Sequence, residues 1–213
     1  MASITIKVPN WLDRICAWPV MVYRRRKYGY YFRRIYLSDG EWTILDQQDY
    51  YRYREFKWFI RGNGSKLYVL RSFKIGPKKT KMISMHREIV NAPKGLVVDH
   101  KNGNSLDNRR ANLRLATQSQ NCYNIKKRKN TSSIFIGVCL EKGRNKWSTH
   151  IRHSRKMMRL GNFDNEIDAA RAYDRAAIKY HGEFARLNFP EENQNIEIRA
   201  TKEPWLPKLS ANV

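Results

Sequence analysis

Residues 97–124, VVDHKNGNSLDNRRANLRLATQSQNCYN, place an amide-rich segment between two short apolar runs. Residues 96–100 have the length and composition of a short strand, and residues 112–117 have the alternation of one. The Asn and Gly residues between them favour a turn or loop. Thr117 and Gln120 fit a capping box, in which each side chain bonds the other residue's amide at a helix start. The segment therefore predicts strand, loop, strand and then a helix running to about residue 127.

The charge of the chain is far from balanced. Lys and Arg number 42 against 19 Asp and Glu, which gives a net charge of +23 and a pI near 10.2. Such a charge attracts polyanions, and nucleic acid is the leading candidate. The basic excess runs through successive segments and stops at about Pro190, which indicates an extended binding surface.

Several classes of protein are disfavoured by what the sequence lacks. No apolar run approaches the ~20 residues of a membrane span, and the N-terminal residues lack the apolar core of a signal peptide. The three cysteines, Cys16, Cys122 and Cys139, form no CxxC pair. We therefore expect an intracellular, cytoplasmic protein associated with the nucleoid, with no structural zinc, no membrane and no obligatory protein partner.

The first 85 residues predict a basic α+β region. A hairpin is expected around Ser38-Asp39-Gly40, a helix after Asp46, two strands after residue 64 and a short helix at MHREIV. Residues 23–36 interleave arginines with tyrosines. Two interpretations stay open for this run: it lies along a DNA backbone, or it is a solvated edge strand with its tyrosines in the core.

Asp99 and His100 stand at the end of the first predicted strand of the opening segment. Histidine titrates near working pH and can take a proton from water. The carboxylate of Asp99 and an amide oxygen from Asn121 are hard ligands suited to Mg²⁺, which commonly uses few protein oxygens. An isolated Asp-His pair is, however, more often structural, and Asn102, Asn104 and Asn108 are expected to serve only as turn residues.

Asp99-His100, Asn112 twelve residues on and Asn121 nine residues later resemble the HNH endonuclease motif in its ββα-metal form. The resemblance is to phage and intron-type homing endonucleases. It implies His100 as the catalytic base, Asn112 as a catalytic-site brace, and Asp99 and Asn121 as ligands of Mg²⁺, for which Mn²⁺ can substitute. It also implies cleavage that leaves 5′-phosphate and 3′-hydroxyl ends.

Two further residues near this motif invite an interpretation. His86 is expected to be a partly buried structural histidine. Strand alternation predicts Leu113 and Leu115 inward and Arg114 outward, where Arg114 could bind DNA phosphate.

Residues 131–190 predict three short strands followed by a helix. The pairs Gly137-Val138, Lys146-Trp147 and Ile151-Arg152, with the run at 187–190, resemble the DNA-binding domain of the ethylene-response-factor type. The resemblance implies a sheet in the major groove of double-stranded DNA, with Lys146, Trp147 and Arg152 as DNA-binding residues. Trp147 and Arg152 are expected on the same, groove-facing side, although simple sheet packing is an alternative for Trp147. Ile136 and Cys139 stand where that family has arginines, so its base specificity is not expected.

Together these features predict an α+β chain: an N-terminal mixed sheet region (1–85), a ββα-metal HNH nuclease unit (86–130), a three-stranded antiparallel sheet packed on one helix (131–190), and a tail (191–213). The predicted function is a Mg²⁺-dependent DNA endonuclease of the homing or mobile-element type, with its site selected by the C-terminal domain. The alternatives are a DNA-binding regulator with no nuclease activity and an RNA-directed nuclease.

Overall fold

The computed structural model of the protein describes residues 9–63, 66–77, 79–124, 127 and 130–192. Over these described residues, helices alternate with four small antiparallel sheets, which confirms the predicted α+β class. The chain forms two units, Met1–Asn121 and Cys122–Val213. The four-part division and its boundaries stay a prediction, and residues 193–213 of the expected tail lie outside the described residues.

In its described part, the first unit contains three small sheets. Two strands form a hairpin, three form an antiparallel sheet in sequence order, and two carry the Asp-His segment. Its helices and strands are α1 (Asn10–Tyr28), β1 (Arg33–Tyr36), β2 (Trp42–Leu45), α2 (Gln47–Tyr53), β3 (Phe59–Asn63), β4 (Lys66–Gly76), β5 (Lys79–Ser84), α3 (Met85–Ile89), β6 (Val97–His100), β7 (Leu113–Ala116) and α4 (Gln118–Asn121).

Helix α1 corrects the interpretation of the arginine–tyrosine run. Residues 23–28 are helical rather than extended: they form the last part of a helix that begins at Asn10 and includes Pro19, and Arg25, Arg26 and Lys27 in its last turn are good helix formers. Gly29, with φ of 83°, takes the left-handed conformation that closes many helices. Arg25, Arg26 and Lys27 occupy the last turn, where cations interact favourably with the helix dipole.

The region before the Asp-His segment and the segment itself share one hydrophobic core. Leu45 of β2, Trp58 and Met85 are at most 1% exposed, and Val98 of β6 and Leu113 of β7 pack in the same cluster. Burial of such large side chains is the main favourable contribution to folding. The strands of the motif are therefore supported by residues far away in the sequence.

The pairing of β6 with β7 agrees with the predicted strand–loop–strand, but two details were wrong. Leu115 is 40% exposed, whereas Arg114 points to Asp99 across the ladder and is mostly buried. Leu113 and Ala116, at the two ends of β7, are buried, whereas Leu115 is not, and the charge of Arg114 is neutralised by Asp99. Helix α4 ends at Asn121, and residues 122–124 form a turn. The helix is therefore shorter than predicted, since it was expected to run to about residue 127.

The second unit has the predicted architecture of three strands backed by a helix. Its elements are β8 (Val138–Glu141), β9 (Lys146–His153), β10 (Lys156–Phe163) and α5 (Glu166–His181), with β9 in the centre of the sheet. The side chain of Asn165 caps α5 by accepting from the amide of Ile167. Gly137 has φ of 75°, and any Cβ there would collide with the ring of Tyr173, so this position requires glycine.

Among the residues that the structure describes, none of the helices combines the length and apolar character needed to cross a bilayer.

Candidate active site

His100 is the last residue of β6 and lies almost completely inside the first unit. It is 8% exposed, and its ring centroid is 5.4 Å from that of His86. Burial lowers the pKa of His100, while the Asn108 hydrogen bond and the charges of Asp99 and Asp107 partly oppose that shift. His100 is therefore neutral at neutral pH, which is the form that can accept a proton.

Asp99 precedes His100 on β6 and is 5% exposed. Its Oδ2 accepts a hydrogen bond from Arg114 Nε at 2.8 Å, and Arg114 Nη2 lies 2.6 Å from the same oxygen. Arg114 was expected to point outward towards DNA phosphate, but it faces the candidate metal ligand instead. The two residues meet because they are direct partners in the β6–β7 ladder.

The loop between β6 and β7 is tied together by side chains. Asn112 is buried, its Oδ1 accepts from the amide of Asn102 at 3.0 Å, and its Nδ2 donates to the carbonyl of Asp107 at 2.8 Å. Its own carbonyl accepts from the amide of Lys101, next to His100. These bonds span the loop and hold the end of the histidine strand, as a brace would.

Asp107 occupies the centre of this loop and was missed in the sequence analysis. It is 1% exposed, and its carboxylate accepts from Arg109 Nε at 2.8 Å, Arg109 Nη2 at 2.6 Å and Asn102 Nδ2 at 2.8 Å. The guanidinium of Arg109 also stacks 3.3 Å from the ring centroid of Tyr30. The local sequence Asp107-Asn108-Arg109 does not indicate that the aspartate would be buried.

Asn108 is likewise more than a turn residue. It is fully buried, and its Oδ1 lies 3.3 Å from Nε2 of His100. Its Nδ2 donates to Thr43 Oγ1 at 2.8 Å. The expectation of a simple turn role was wrong, because the partner on β2 lies 65 residues away and leaves no trace in the local sequence. Asn102 and Asn104 do serve the turn, since each accepts from the amide two residues later.

Asn121 lines a cavity of about 310 Å³ together with His86, Tyr68, Ser84, Arg87, Val97, Val98 and Gln118. Within the described part of the chain, Asp99 and His100 are not among the residues lining it. His86 is 6% exposed, and its Nδ1 has no hydrogen-bond partner. Burial, with the neighbouring His100 and Arg87, lowers the pKa of His86 to about 3, so it stays neutral.

The chemistry of the donors fits a divalent metal held by few protein ligands. Asp99 on β6 offers a carboxylate and Asn121 on α4 an amide oxygen, and these two elements pack together. Both are hard oxygen donors of the kind that Mg²⁺ accepts. Across the described residues, no cluster of three or more His, Cys, Asp or Glu side chains could hold a metal. These two protein donors therefore fit a metal whose remaining ligands would be water and substrate oxygens.

The second unit separates the three residues predicted to bind DNA. Trp147 packs with Val138, Ala169 and Ala170 on the helix side of the sheet, so its expected position on the same side as Arg152 was wrong. Successive residues of a strand alternate sides. Lys146 and Arg152 therefore lie on the side away from α5, and both are exposed. Lys146 also pairs with the exposed Asp164 at 2.8 Å, a contact of little energetic weight.

The family model described as HNH endonuclease matches residues 91–123. Protein 3.8 of Escherichia phage T7 is 34% identical over 95 residues, which cover 45% of this chain and 78% of that protein. The uncharacterized HNH endonuclease L560 of Acanthamoeba polyphaga mimivirus is 28% identical over 159 residues, 72% of this chain and 73% of that protein.

A second group of similar proteins comes from plants. APETALA2-like protein 2 of Oryza sativa subsp. indica is 45% identical over 69 residues, 31% of this chain. The match covers only 15% of the length of that rice protein, and 12 to 15% of the length of two further plant proteins that are similar to the chain. No solved structure matches the chain at a significant level.

Proposed function

The chain belongs to the HNH endonuclease family, and from that premise we propose that it is a metal-dependent endonuclease that hydrolyses phosphodiester bonds of double-stranded DNA. The observation that carries the proposal is the buried, neutral His100 next to Asp99 at the end of β6. The net charge of +23 supports a polyanionic substrate.

The proposed mechanism starts with His100, which takes a proton from the attacking water. Asn112 keeps the histidine in position, which the two side-chain bonds across the loop support. Burial of His100 also favours this chemistry, because it keeps the imidazole neutral at working pH and therefore able to accept the proton.

Asp99 and Asn121 are the proposed metal ligands, and Mg²⁺ is the proposed ion, with Mn²⁺ able to replace it. A bound divalent ion would neutralise charge on the phosphate and stabilise the leaving oxygen. The proposed role of Arg114 is to support this metal site rather than to bind DNA, because by donating to Asp99 Oδ2 it orients the carboxylate.

The test is conversion of supercoiled plasmid DNA by the full chain. We expect nicked or linear product with Mg²⁺, product with Mn²⁺, and loss of cleavage when a chelator removes the ion. The Asn121→Ala variant should need more metal for half-maximal cleavage, by at least roughly 10- to 100-fold, since loss of a group that only supports a metal ligand already costs that much affinity.

The competing function is a DNA-binding regulator without nuclease activity, which the similarity to plant proteins named as ethylene-responsive transcription factors favours. Tight DNA binding with no cleavage under any of these ionic conditions would establish the regulator and contradict the nuclease.

We further propose that the second unit selects the site, in an enzyme of the homing or mobile-element type. Arg152 is exposed on the side of the sheet away from α5, which supports a DNA contact there, whereas Trp147 supports the sheet from the helix side. Lys146 shares the side of Arg152 and is proposed to bind phosphate.

Arg152→Ala is expected to weaken DNA binding and to reduce the slope of log affinity against log salt by about 1, as loss of one phosphate contact does. Fluorescence anisotropy with labelled duplex DNA over a salt series measures both quantities. Arg171→Ala is the matched control, because Arg171 lies on α5 and pairs with Glu192. Equal effects of the two substitutions would mean that the proposed side of the sheet does not bind DNA.

A further inference from the structure

Thr43, a fully buried residue of β2, has a hydroxyl group with two neighbours. Its Oγ1 lies 2.7 Å from the carbonyl oxygen of Leu106 and 2.8 Å from Nδ2 of Asn108. A hydroxyl has one proton to donate, and a carbonyl oxygen can only accept. The proton therefore goes to Leu106, and Thr43 must accept its second bond from Asn108.

This requirement decides which way the amide of Asn108 points. Only the NH₂ group can donate to Thr43, so Nδ2 faces β2 and Oδ1 faces His100. The carbonyl of Ser105, 3.4 Å from Nδ2, favours the same orientation, since a reversed amide would bring two acceptor oxygens together.

The backbone around Asn108 keeps this arrangement rigid. The amide of Asn108 donates to the carbonyl of Ile44 at 2.9 Å, and the amide of Ile44 donates to Leu106 at 3.0 Å. Both Thr43 and Asn108 are 0% exposed, so solvent does not compete for the side-chain bonds. Strand β2 thus holds the loop that faces the histidine.

From this chain of contacts we propose that Asn108, oriented by Thr43, selects the His100 tautomer that carries its proton on Nε2. Because Oδ1 of Asn108 can only accept, the ring nitrogen at 3.3 Å must be the donor. Nδ1 of His100 is then the nitrogen with the lone pair that takes the proton from water. Asn108 and Thr43 are positioning residues, and their role in cleavage rests on the proposed function of His100.

The test is an NMR measurement of ring protonation in the full chain, with ¹⁵N-labelled histidine. The chain has five histidines, and the signal lost in a His100→Gln variant assigns His100. We expect wild-type His100 to be protonated at Nε2 alone. Thr43→Val, of similar shape, removes the acceptor and should give a mixture of tautomers, whereas Thr43→Ser, which keeps the hydroxyl, should match the wild type.

The same variants have a kinetic expectation. Thr43→Val should lower kcat by roughly 10- to 100-fold with little change in KM. Thr43→Ser, which keeps the hydroxyl, should have a kcat close to that of the wild type. A wild-type His100 protonated at Nδ1, or a Thr43→Val variant that retains the pure Nε2–H form, would overturn the proposal. The wild-type spectrum reports the tautomer of His100 even if Thr43→Val does not fold. Because that measurement needs no cleavage, failure of this inference is distinguishable from failure of the proposed nuclease.

Discussion

Replacing His100 with alanine is expected to reduce metal-dependent DNA cleavage by roughly 10²- to 10⁴-fold, the contribution of a general base. The physical reason is the position of His100: it is neutral, buried and adjacent to Asp99 at the end of β6. DNA affinity should change little, because a side chain that is 8% exposed contributes little contact surface. Single-turnover cleavage and anisotropy binding measure the two quantities separately.

His100→Gln is the matched variant for this experiment. Glutamine retains an amide donor that can bond Asn108 Oδ1, but it cannot take a proton from water at working pH. Both variants should therefore be inactive, and the melting temperature of the Gln variant should stay closer to that of the wild type. Undiminished cleavage by either variant would contradict the assignment of His100 as the base.

Asp107→Ala is expected to destabilise the first unit by about 3–5 kcal/mol, the usual effect of removing one partner from a buried ion pair. The carboxylate is 1% exposed and Arg109 opposite it is 12% exposed, so solvent does little to replace the lost contacts. The substitution also removes the acceptor of Asn102 Nδ2. Native-state hydrogen exchange in the full chain, followed at the amides of Ile44 and Asn108, would report the loss locally.

Glu55→Ala is the control for this second experiment. Glu55 pairs with Arg54 at 3.3 Å, but its side chain is 57% exposed. Exposed pairs contribute at most about 1 kcal/mol, so the exchange rates should change little. If Asp107→Ala were as mild as Glu55→Ala, the loop would not depend on the buried carboxylate.

The local features of the motif were predictable because their partners are close in sequence. Thr117 and Gln120 form the expected capping box, with Thr117 N bonding Gln120 Oε1 at 2.8 Å and Gln120 N bonding Thr117 Oγ1 at 3.2 Å. The strands β6 and β7 follow from their apolar runs. In the second unit, the helix after Asn165 begins and ends where its capping residues predict.

Other predictions failed where a distant partner overrides a local preference. Asp46 stands at the start of α2 as predicted, but its carboxylate accepts from the amide of Arg110, 64 residues away, rather than capping that helix. Arg114 faces inward because Asp99 neutralises it, and Trp147 lies on the helix side because Ala169 and Ala170 leave space for its ring.

The sequence alone determined the α+β class, the order of strands and helix in the motif, and the spacing of Asp99, His100, Asn112 and Asn121, because these depend on periodicity and on caps within a few residues. Only the tertiary structure decided how His100 is buried and oriented. That orientation depends on Asn108 and on Thr43 of β2, and no local pattern encodes a hydrogen bond between residues 65 positions apart.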